Sequence, residues 1–375
     1  MPLLLLCSTM PHRTFLCRLI FCAIFSVSII NVFSGASAPS FFLRYSKPAA
    51  LSQDHVECPH SDLADDVLVV LRTGATESRQ KVPVHFRTTL RCVPHFVILS
   101  DLDEEIQGHA VHDVLAGVSE ARRSSHEDFK LYHRLQEHGR NGIDTQQVIT
   151  TQSGSSKGDY LNTANDGWKL DKWKFLPMID RAYQEMAHAK WFVFIEADTF
   201  LAWPNLLEYL ATFDASKPYY LGKHLYINDI EFGYGGAGFA LSNPAMRAVI
   251  EQRSVHIRDY EDFTATHWVG DCALGKALHD AKVPLHRAFP HFQGDAPATL
   301  DPATTKIDRD AWCYPVITYH HVSPDEIEDL WRFEQDWYKR VCNVTRGPPF
   351  PTTHQLSLDT QLPIPVPLTS HQFPY

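Results

Sequence analysis

The stretch Trp191-Phe192-Val193-Phe194-Ile195-Glu196-Ala197-Asp198-Thr199 decides the fold of this chain. Its uninterrupted apolar run is typical of a strand at the centre of a parallel sheet, covered on both faces. The run ends abruptly in two acids, Glu196 and Asp198, separated by one residue. In an extended chain alternate side chains point the same way, so both carboxylates face one point. The segment therefore predicts an α/β sheet with a polar site beyond the carboxyl end of this strand.

Two carboxylates directed at one point repel each other unless a cation or a proton lies between them. Hard divalent ions accept such oxygen ligands, and a diphosphate would supply further oxygens. The alternative is that Glu196 and Asp198 cap the helix expected to begin near Trp203. A location directly after a buried strand favours the metal interpretation.

Upstream segments extend the α/β pattern. Residues 67–71 and 96–100 are short, β-branched apolar runs, and the segment around 82–90 is long enough for a helix between them, which predicts a β-α-β unit. Residues 139–167 are rich in Gly, Ser, Thr, Asn and Asp and predict a surface loop or insertion. A helix follows, with apolar residues at helical spacing and Pro177 in its first turn.

Glycines at 233, 235, 236 and 238 formally satisfy the G-x-G-x-x-G pattern of dinucleotide-binding proteins. We reject that function, because the pattern requires an apolar strand before it and a helix after it. Here the preceding residues 227–232 are interrupted by polar side chains, and residues 239–242 are strand-like. Close approach of the Gly235 and Gly236 backbone to a ligand is one interpretation, and a plain hairpin turn is the other.

Two further segments carry candidate chemistry. Asp271 stands at the start of a helix that is expected to run to about His279, where an acid serves either as a general base or as a cap. Residues 316–319 predict a strand that delivers His320-His321, and one of these histidines is a candidate metal ligand. The chain has 21 histidines, so a single histidine is weak evidence for a metal site. The assignment depends on the order in which this segment and the other motifs occur along the chain.

The bulk composition and the first residues limit the class of protein. A formal net charge of −10 disfavours a nucleic-acid-binding protein, which normally carries a basic surface. An apolar run at 19–33, preceded by His12, Arg13 and Arg18, is a targeting segment, either a single-pass anchor or a cleaved signal ending near Ala38. Both interpretations direct the body into the secretory lumen, and the sequon at Asn343 is compatible with that.

We therefore divide the chain into a signal-anchor or transmembrane segment (1–38), a stem (39–62), a catalytic domain (63–345) and a proline-rich extended tail (346–375). Five cysteines lie outside the targeting segment, which in an oxidising lumen predicts two disulfides and one free thiol. We expect the pairs Cys58–Cys92 and Cys313–Cys342.

Four ordered motifs together resemble the fringe-like and core 1 β1,3-galactosyltransferase family, with fungal members looking closest. They are Phe194-Ile-Glu-Ala-Asp-Thr199, Gly235-Gly-Ala-Gly-Phe-Ala-Leu-Ser242, Gly270-Asp-Cys-Ala-Leu-Gly275 and Thr318-Tyr-His-His321. The resemblance covers roughly residues 65–340. It implies a GT-A glycosyltransferase fold with one catalytic domain and a mostly parallel central sheet, a UDP-sugar donor and Mn²⁺. It also implies inversion at the anomeric carbon, a β1,3 linkage, a glycan or glycoprotein acceptor, and residence in the Golgi or ER membrane.

The resemblance also implies roles for individual residues. Asp198 matches the last acid of the family's D-x-D motif and His320 its C-terminal histidine, so both are expected to bind the metal. Asp271 matches the expected catalytic base. Thr73, Arg79 and Asp101 stand where the family holds the nucleotide, and Gly235 and Gly236 where backbone approaches a sugar. The tryptophans at 168, 173 and 268 are expected either to stack on sugars or to pack in the core.

Two departures from the family pattern keep rival functions open. Glu196 stands where the family usually has Asp, which suggests a contact through water or with the donor ribose, and Cys272 stands where a second acid often follows the base. An inactive carbohydrate- or nucleotide-sugar-binding relative would explain both departures. A glycoside hydrolase using Glu196 and Asp271 is a second rival, and it would need neither metal nor UDP.

Overall fold

The computed structural model describes residues 56, 58, 60–144, 166–267, 269–299 and 314–345. The predicted targeting segment, most of the stem, the proline-rich tail and Trp268 lie outside these residues, as does much of the expected loop at 139–167. Within the described part of the chain, no helix is both long enough and apolar enough to cross a bilayer.

The described residues form both strands and helices. The strands are β1 Val67–Arg72, β2 His95–Ser100, β3 Glu104–Ile106, β4 His109–Asp113, β5 Trp191–Glu196, β6 Phe200–Leu201, β7 Tyr220–Gly222, β8 His224–Ile227, β9 Ile230–Gly233, β10 Phe239–Ser242, β11 Leu285–Arg287 and β12 Thr318–Tyr319. The helices are α1 Ser78–Arg87, α2 Glu120–Ser125, α3 Lys130–His138, α4 Asp166–Glu185, α5 Trp203–Leu210, α6 Asn243–Val255, α7 Ile257–Thr266, α8 Gly270–Asp280 and α9 Pro324–Thr345.

Eight of these strands form one sheet in the order β11-β7-β10-β5-β1-β2-β4-β3. β1 pairs in parallel with both β2 and β5, while β10 runs antiparallel between β5 and β7. Two smaller pairs, β12 with β6 and β8 with β9, complete the strand pairing. The predicted β-α-β unit and the mostly parallel α/β sheet are therefore confirmed.

Helices cover both faces of the sheet, which explains why its central strands are apolar throughout. Alternate residues of β1 enter different cores, with Val67 and Val69 on one face and Leu68 and Val70 on the other. The first face packs against α1, α5 and α9, and the second against α4, α6 and α8. This two-sided cover leaves the carboxyl ends of β1, β2 and β5 as the place where polar groups can meet.

Helix α4 differs from its predicted boundaries. It begins at Asp166, so Pro177 lies in the middle of the helix and not in its first turn. Burial of Leu170 and Trp173 extends the packed face by about two turns before the proline, and tertiary packing outweighs the lost backbone hydrogen bond. The last residues of the expected surface loop, Asp166 and Gly167, therefore belong to this helix.

One of the two expected disulfides is present, between Cys58 and Cys92, and Cys272 is a buried free thiol. The disulfide ties the segment before β1 to the connection between α1 and β2. The pair predicted between Cys313 and Cys342 lies outside the described side chains.

Candidate functional site

The polar site forms where the parallel strands β1 and β5 end side by side. Their register pairs Arg72 with Glu196, the last residue of each strand. Arg72 is almost fully buried, its guanidinium lies 4.1 Å over the ring of Phe175, and it forms ion pairs with Glu196 and Asp171. Glu196 therefore enters the site already paired with a fixed cation.

A second pairing brings His320 to the same place. β12 pairs antiparallel with β6, which aligns Tyr319 with Phe200 and puts the following histidine beside the turn after β5. The Val322 amide donates to the Asp198 carbonyl at 3.1 Å and fixes this approach. His320 Nε2 lies 3.3 Å from Asp198 Oδ1 and 3.6 Å from Glu196 Oε2.

Lys81 on α1 also reaches this cluster. Its Nζ lies 3.0 Å from Asp198 Oδ2 and 2.8 Å from Glu77. Burial opposes the charge on Asp198, but Lys81 and His320 hold the pKa of that carboxyl well below its usual range. Asp198 is therefore ionised, with one oxygen bound by Lys81 and the other facing His320.

The pKa values of Glu196 and His320 are shifted by the same two effects, burial and neighbouring charges. Burial opposes the charge on Glu196, but Arg72 and His320 lower its pKa to about 2. Burial would lower the pKa of His320, but Asp198 and Glu196 raise it to about 9. The cluster thus pairs anionic carboxylates with cationic partners.

Asp198, His320 and His321 offer ligand atoms that all lie within 4.8 Å of one another. One carboxylate and two imidazoles form a donor set that suits a divalent transition-metal ion. These residues therefore fit the metal that the resemblance implies. Sequence reasoning expected one of the two histidines and missed the second, because a side chain's direction after a two-residue strand is not readable from the sequence.

The glycine segment connects this cluster to Asp271. A Cβ added at Gly236 would overlap the His320 imidazole, and one added at Gly235 would lie 3.4 Å from the Asp271 Cβ. The Gly235 amide donates to Asp271 Oδ2 at 2.9 Å. The two glycines thus allow the segment to lie directly between His320 and Asp271.

The glycine segment is neither a dinucleotide loop nor a hairpin turn. It is followed by strand β10 and not by a helix, which agrees with the rejection of the dinucleotide-binding function. The hairpin interpretation is wrong, because β9 pairs with β8 whereas β10 pairs with β5 and β7. Gly238 has a φ of 77°, a left-handed conformation that allows the chain to turn from this segment into β10.

Asp271 lies at the amino end of α8 and is buried. Its Oδ1 accepts a hydrogen bond from the adjacent Cys272 amide at 2.9 Å. The capping alternative is wrong, because the N-cap residue is Val269 and no side chain caps this helix. Burial raises the pKa of Asp271 to about 6, although the hydrogen bonds from the Gly235 and Cys272 amides and the charge of Arg72 favour its charged form. A carboxylate with a pKa near neutrality has the property of a general base.

Thr73 and Asp101 follow β1 and β2 and are joined by a buried lysine. Lys174 Nζ donates to the Thr73 carbonyl at 2.8 Å and lies 3.0 Å from Asp101 Oδ2. Asp101 Oδ1 accepts from the Ala75 amide at 2.7 Å, so this carboxylate holds the turn after β1 in place. The Thr73 hydroxyl is buried and has no hydrogen-bond partner among the residues that the structure describes.

Arg79 is not brought into the carboxylate–histidine cluster. It lies two residues before Lys81 on α1 and therefore on a different face of the helix. Its Nε contacts Glu104 Oε2 at 3.3 Å and its side chain is 61% exposed. Its predicted contact with the nucleotide remains a prediction.

Of Trp168 and Trp173, the two sugar-stacking candidates that the structure describes, Trp173 packs in the core. Trp173 packs against Phe129, and its indole Nε1 donates to Asp128 at 2.8 Å. This side chain is buried and belongs to the small core around α3. Trp168 is half-buried on α4.

Comparison with known families adds independent information to this geometry. The sequence matches the family described as Fringe-like over residues 64–293, which is more than half of the chain. The matched range includes β1, the Glu196–Asp198 turn, the glycine segment and Asp271, whereas His320 and His321 lie beyond it. The protein belongs to the fringe-like family, and it is a glycosyltransferase of the GT-A fold that uses a nucleotide-sugar donor and a glycan acceptor.

Proposed function

We propose that this protein is an inverting, metal-dependent glycosyltransferase that moves a hexose or N-acetylhexosamine from a UDP-sugar to a hydroxyl acceptor. The observation that carries the proposal is the placement of Asp271 and the Asp198–His320 pair on either side of Gly235 and Gly236. A base on one side and a cation-binding group on the other are what a displacement at a sugar carbon requires. We further propose Mn²⁺ as the metal and a β1,3 linkage as the product.

The catalytic roles follow from the contacts. Asp271 takes the proton of the acceptor hydroxyl while that oxygen bonds to the anomeric carbon, and the bond from this carbon to the UDP oxygen breaks. The Gly235 and Cys272 amides orient the carboxylate. A divalent ion bound by Asp198 and His320 would supply charge neutralisation on the departing diphosphate. Arg72 holds Glu196 in place beside this pair.

The proposed nucleotide contacts rest on the residues after β1. A buried hydroxyl without a partner costs free energy, and a hydrogen-bonding atom of the nucleotide would satisfy Thr73. Lys174 and Asp101 keep the Thr73 backbone in position for that contact. Arg79 would reach the nucleotide only through a change of its contact with Glu104.

The hydrolase alternative predicts a different cofactor requirement. A glycoside hydrolase that used Glu196 and Asp271 would need neither a metal nor UDP, so metal-dependent UDP release separates the two functions. We also propose that the enzyme resides in the Golgi or ER membrane, held by residues 1–38 with its catalytic domain in the lumen.

The test is a panel of UDP-sugars incubated with the purified full-length chain and glycan acceptors, with and without Mn²⁺, scored by UDP release and by product linkage. We expect one donor to support metal-dependent release, and Asp198→Ala to reduce it by about 100-fold or more. Asp214→Ala is the matched control, because Asp214 lies in the connection after α5 and is more than half exposed, so its loss should leave release unchanged. Donor binding without release would favour the inactive relative, and no donor binding would refute the proposal.

A further inference from the structure

Glu196 is not available to bind the proposed metal together with Asp198, because it is already paired with Arg72. Glu196 Oε1 accepts from Arg72 Nη2, and Arg72 is held by Asp171 and by the face of Phe175. A guanidinium with three fixed partners does not move aside readily, and its positive charge repels a second cation. Glu196 is therefore neutralised before any metal arrives.

His321 takes a backbone conformation that is uncommon for its residue type. Its φ is 57°, in the left-handed region, where non-glycine residues are infrequent. In a continuing strand, the side chains of His320 and His321 would point to opposite sides. The left-handed turn instead brings both imidazoles to one side, with ring centroids 3.8 Å apart.

Contacts around the turn keep this arrangement. The Tyr234 hydroxyl lies 3.2 Å from His320 Nδ1 and 3.4 Å from His321 Nε2. Val322, the next residue, is anchored by its amide to the Asp198 carbonyl at 3.1 Å. Backbone strain that neighbouring contacts maintain is a recurrent property of functional sites.

Asp198 completes the set with a single oxygen. Lys81 binds Oδ2 at 3.0 Å, which leaves Oδ1 towards the histidines. Ligand atoms of Asp198, His320 and His321 all lie within 4.8 Å of one another. The described residues thus bring two nitrogens and one oxygen to the same point.

We propose that Asp198, His320 and His321 are the protein ligands of the metal and that Arg72 keeps Glu196 out of the ligand set. This inference rests on the proposed function, because it names the ligands of the same site. Two imidazoles and one carboxylate oxygen favour ions such as Mn²⁺, Co²⁺ and Zn²⁺ over Mg²⁺ and Ca²⁺, which prefer oxygen ligands throughout. His321, which the sequence motifs leave without a role, thereby becomes a determinant of which metal the enzyme uses.

The experiment measures Mn²⁺ binding to the full-length chain without donor, by the loss of the free-ion electron paramagnetic resonance signal. The key variant is His321→Asn, because asparagine accepts the left-handed conformation and the substitution removes the imidazole without adding backbone strain. We expect His321→Asn to weaken Mn²⁺ binding by about 10-fold or more, and Glu196→Gln to weaken it by less than His321→Asn does, because Glu196 contacts His320 without binding the ion. His279→Asn, at an exposed position on α8, is the control and should bind Mn²⁺ like the native chain.

Pulsed resonance of the bound ion supplies a second readout that does not depend on turnover. Nitrogen couplings from two histidines are expected in the native chain and from one in His321→Asn. Native-like Mn²⁺ affinity together with unchanged nitrogen couplings in His321→Asn would overturn the inference while leaving the glycosyltransferase reaction intact. Conversely, two-histidine binding without turnover of any UDP-sugar would support the ligand set and contradict the proposed function. A larger loss of Mn²⁺ affinity in Glu196→Gln than in His321→Asn would restore the acid pair as ligands and overturn the inference.

Discussion

Burial, and not a charged neighbour, sets the protonation state of Asp271. The carboxyl group is enclosed beneath the glycine segment, and this enclosure raises its pKa to about 6 although two amides and Arg72 favour the charged form. The position of this acid at the start of a helix was readable from the sequence. Its burial was not, because it depends on the glycine segment, 36 residues earlier in the chain.

We predict that turnover falls at acidic pH because Asp271 must be ionised to accept a proton. A pKa raised to about 6 means that the active carboxylate predominates above that pH and is lost below it. The value of kcat/KM should decline about tenfold per pH unit below this point, as measured in a pH profile with saturating Mn²⁺. A profile that stays flat down to pH 5 would contradict the assignment.

The matching variant is Asp271→Asn, which should lower kcat by about 100-fold to 10,000-fold. Asp280→Asn is the control on the same helix, where the native carboxylate pairs with Lys276 and Tyr260. It should leave both turnover and the pH profile unchanged. Equal losses in the two variants would point to a disturbed helix rather than to a missing base.

The strand pair β1 and β5 shows what a single sequence can and cannot provide at the scale of elements. Each apolar run was recognisable by itself, and so was the polar end of β5. The register that opposes Arg72 and Glu196 joins residues 124 positions apart, and no local pattern encodes it. The ion pair between Arg72 and Glu196 therefore could not be predicted from the sequence.

We predict that Arg72 and Glu196 are strongly coupled in stability. Arg72→Gln should lower the free energy of unfolding by about 2–4 kcal/mol, because it removes the buried cation that Glu196 and Asp171 share. A double-mutant cycle with Glu196→Gln, measured by denaturant unfolding, should give a coupling energy of about 1–3 kcal/mol.

The same two strands supply the control at their opposite ends. Lys190 and Asp66 precede β5 and β1 and form a more exposed pair at 2.7 Å. Their cycle, with Lys190→Gln and Asp66→Asn, should give less than about 1 kcal/mol. Similar coupling energies in the two cycles would mean that burial of the Arg72–Glu196 pair does not strengthen its interaction.

At the scale of the whole molecule, the sequence predicted the α/β class, the family and the Cys58–Cys92 disulfide correctly. It did not predict the boundaries of α4, because burial of Leu170 and Trp173 extends that helix upstream of Pro177. It also gave no sign of Lys81 at Asp198, since a lysine on an amphipathic helix most often faces solvent. The order of the motifs along the chain can therefore be predicted from the sequence, whereas contacts between residues that are far apart in the chain cannot.

The Cys58–Cys92 disulfide closes a loop of 34 residues around β1 and α1. We predict that the double substitution Cys58→Ser and Cys92→Ser lowers the free energy of unfolding by about 2–4 kcal/mol, mainly because it increases the conformational entropy of the unfolded chain. Thermal unfolding with and without a reductant provides the measurement. The reductant should lower the Tm of the native chain and leave the Tm of the double variant unchanged. An equal decrease in both would mean that the Cys58–Cys92 disulfide is not the cause.

Cys272, the free thiol next to Asp271, is fully buried, and burial raises its pKa to about 12. An alkylating reagent reaches this sulfur only when the first turn of α8 opens, so the alkylation rate measures how often Asp271, the proposed general base, is uncovered. Any substrate that holds the glycine segment against α8 must slow the labelling. The position where the chain departs from its family thereby carries a native thiol that reports site occupancy without turnover and without an introduced cysteine.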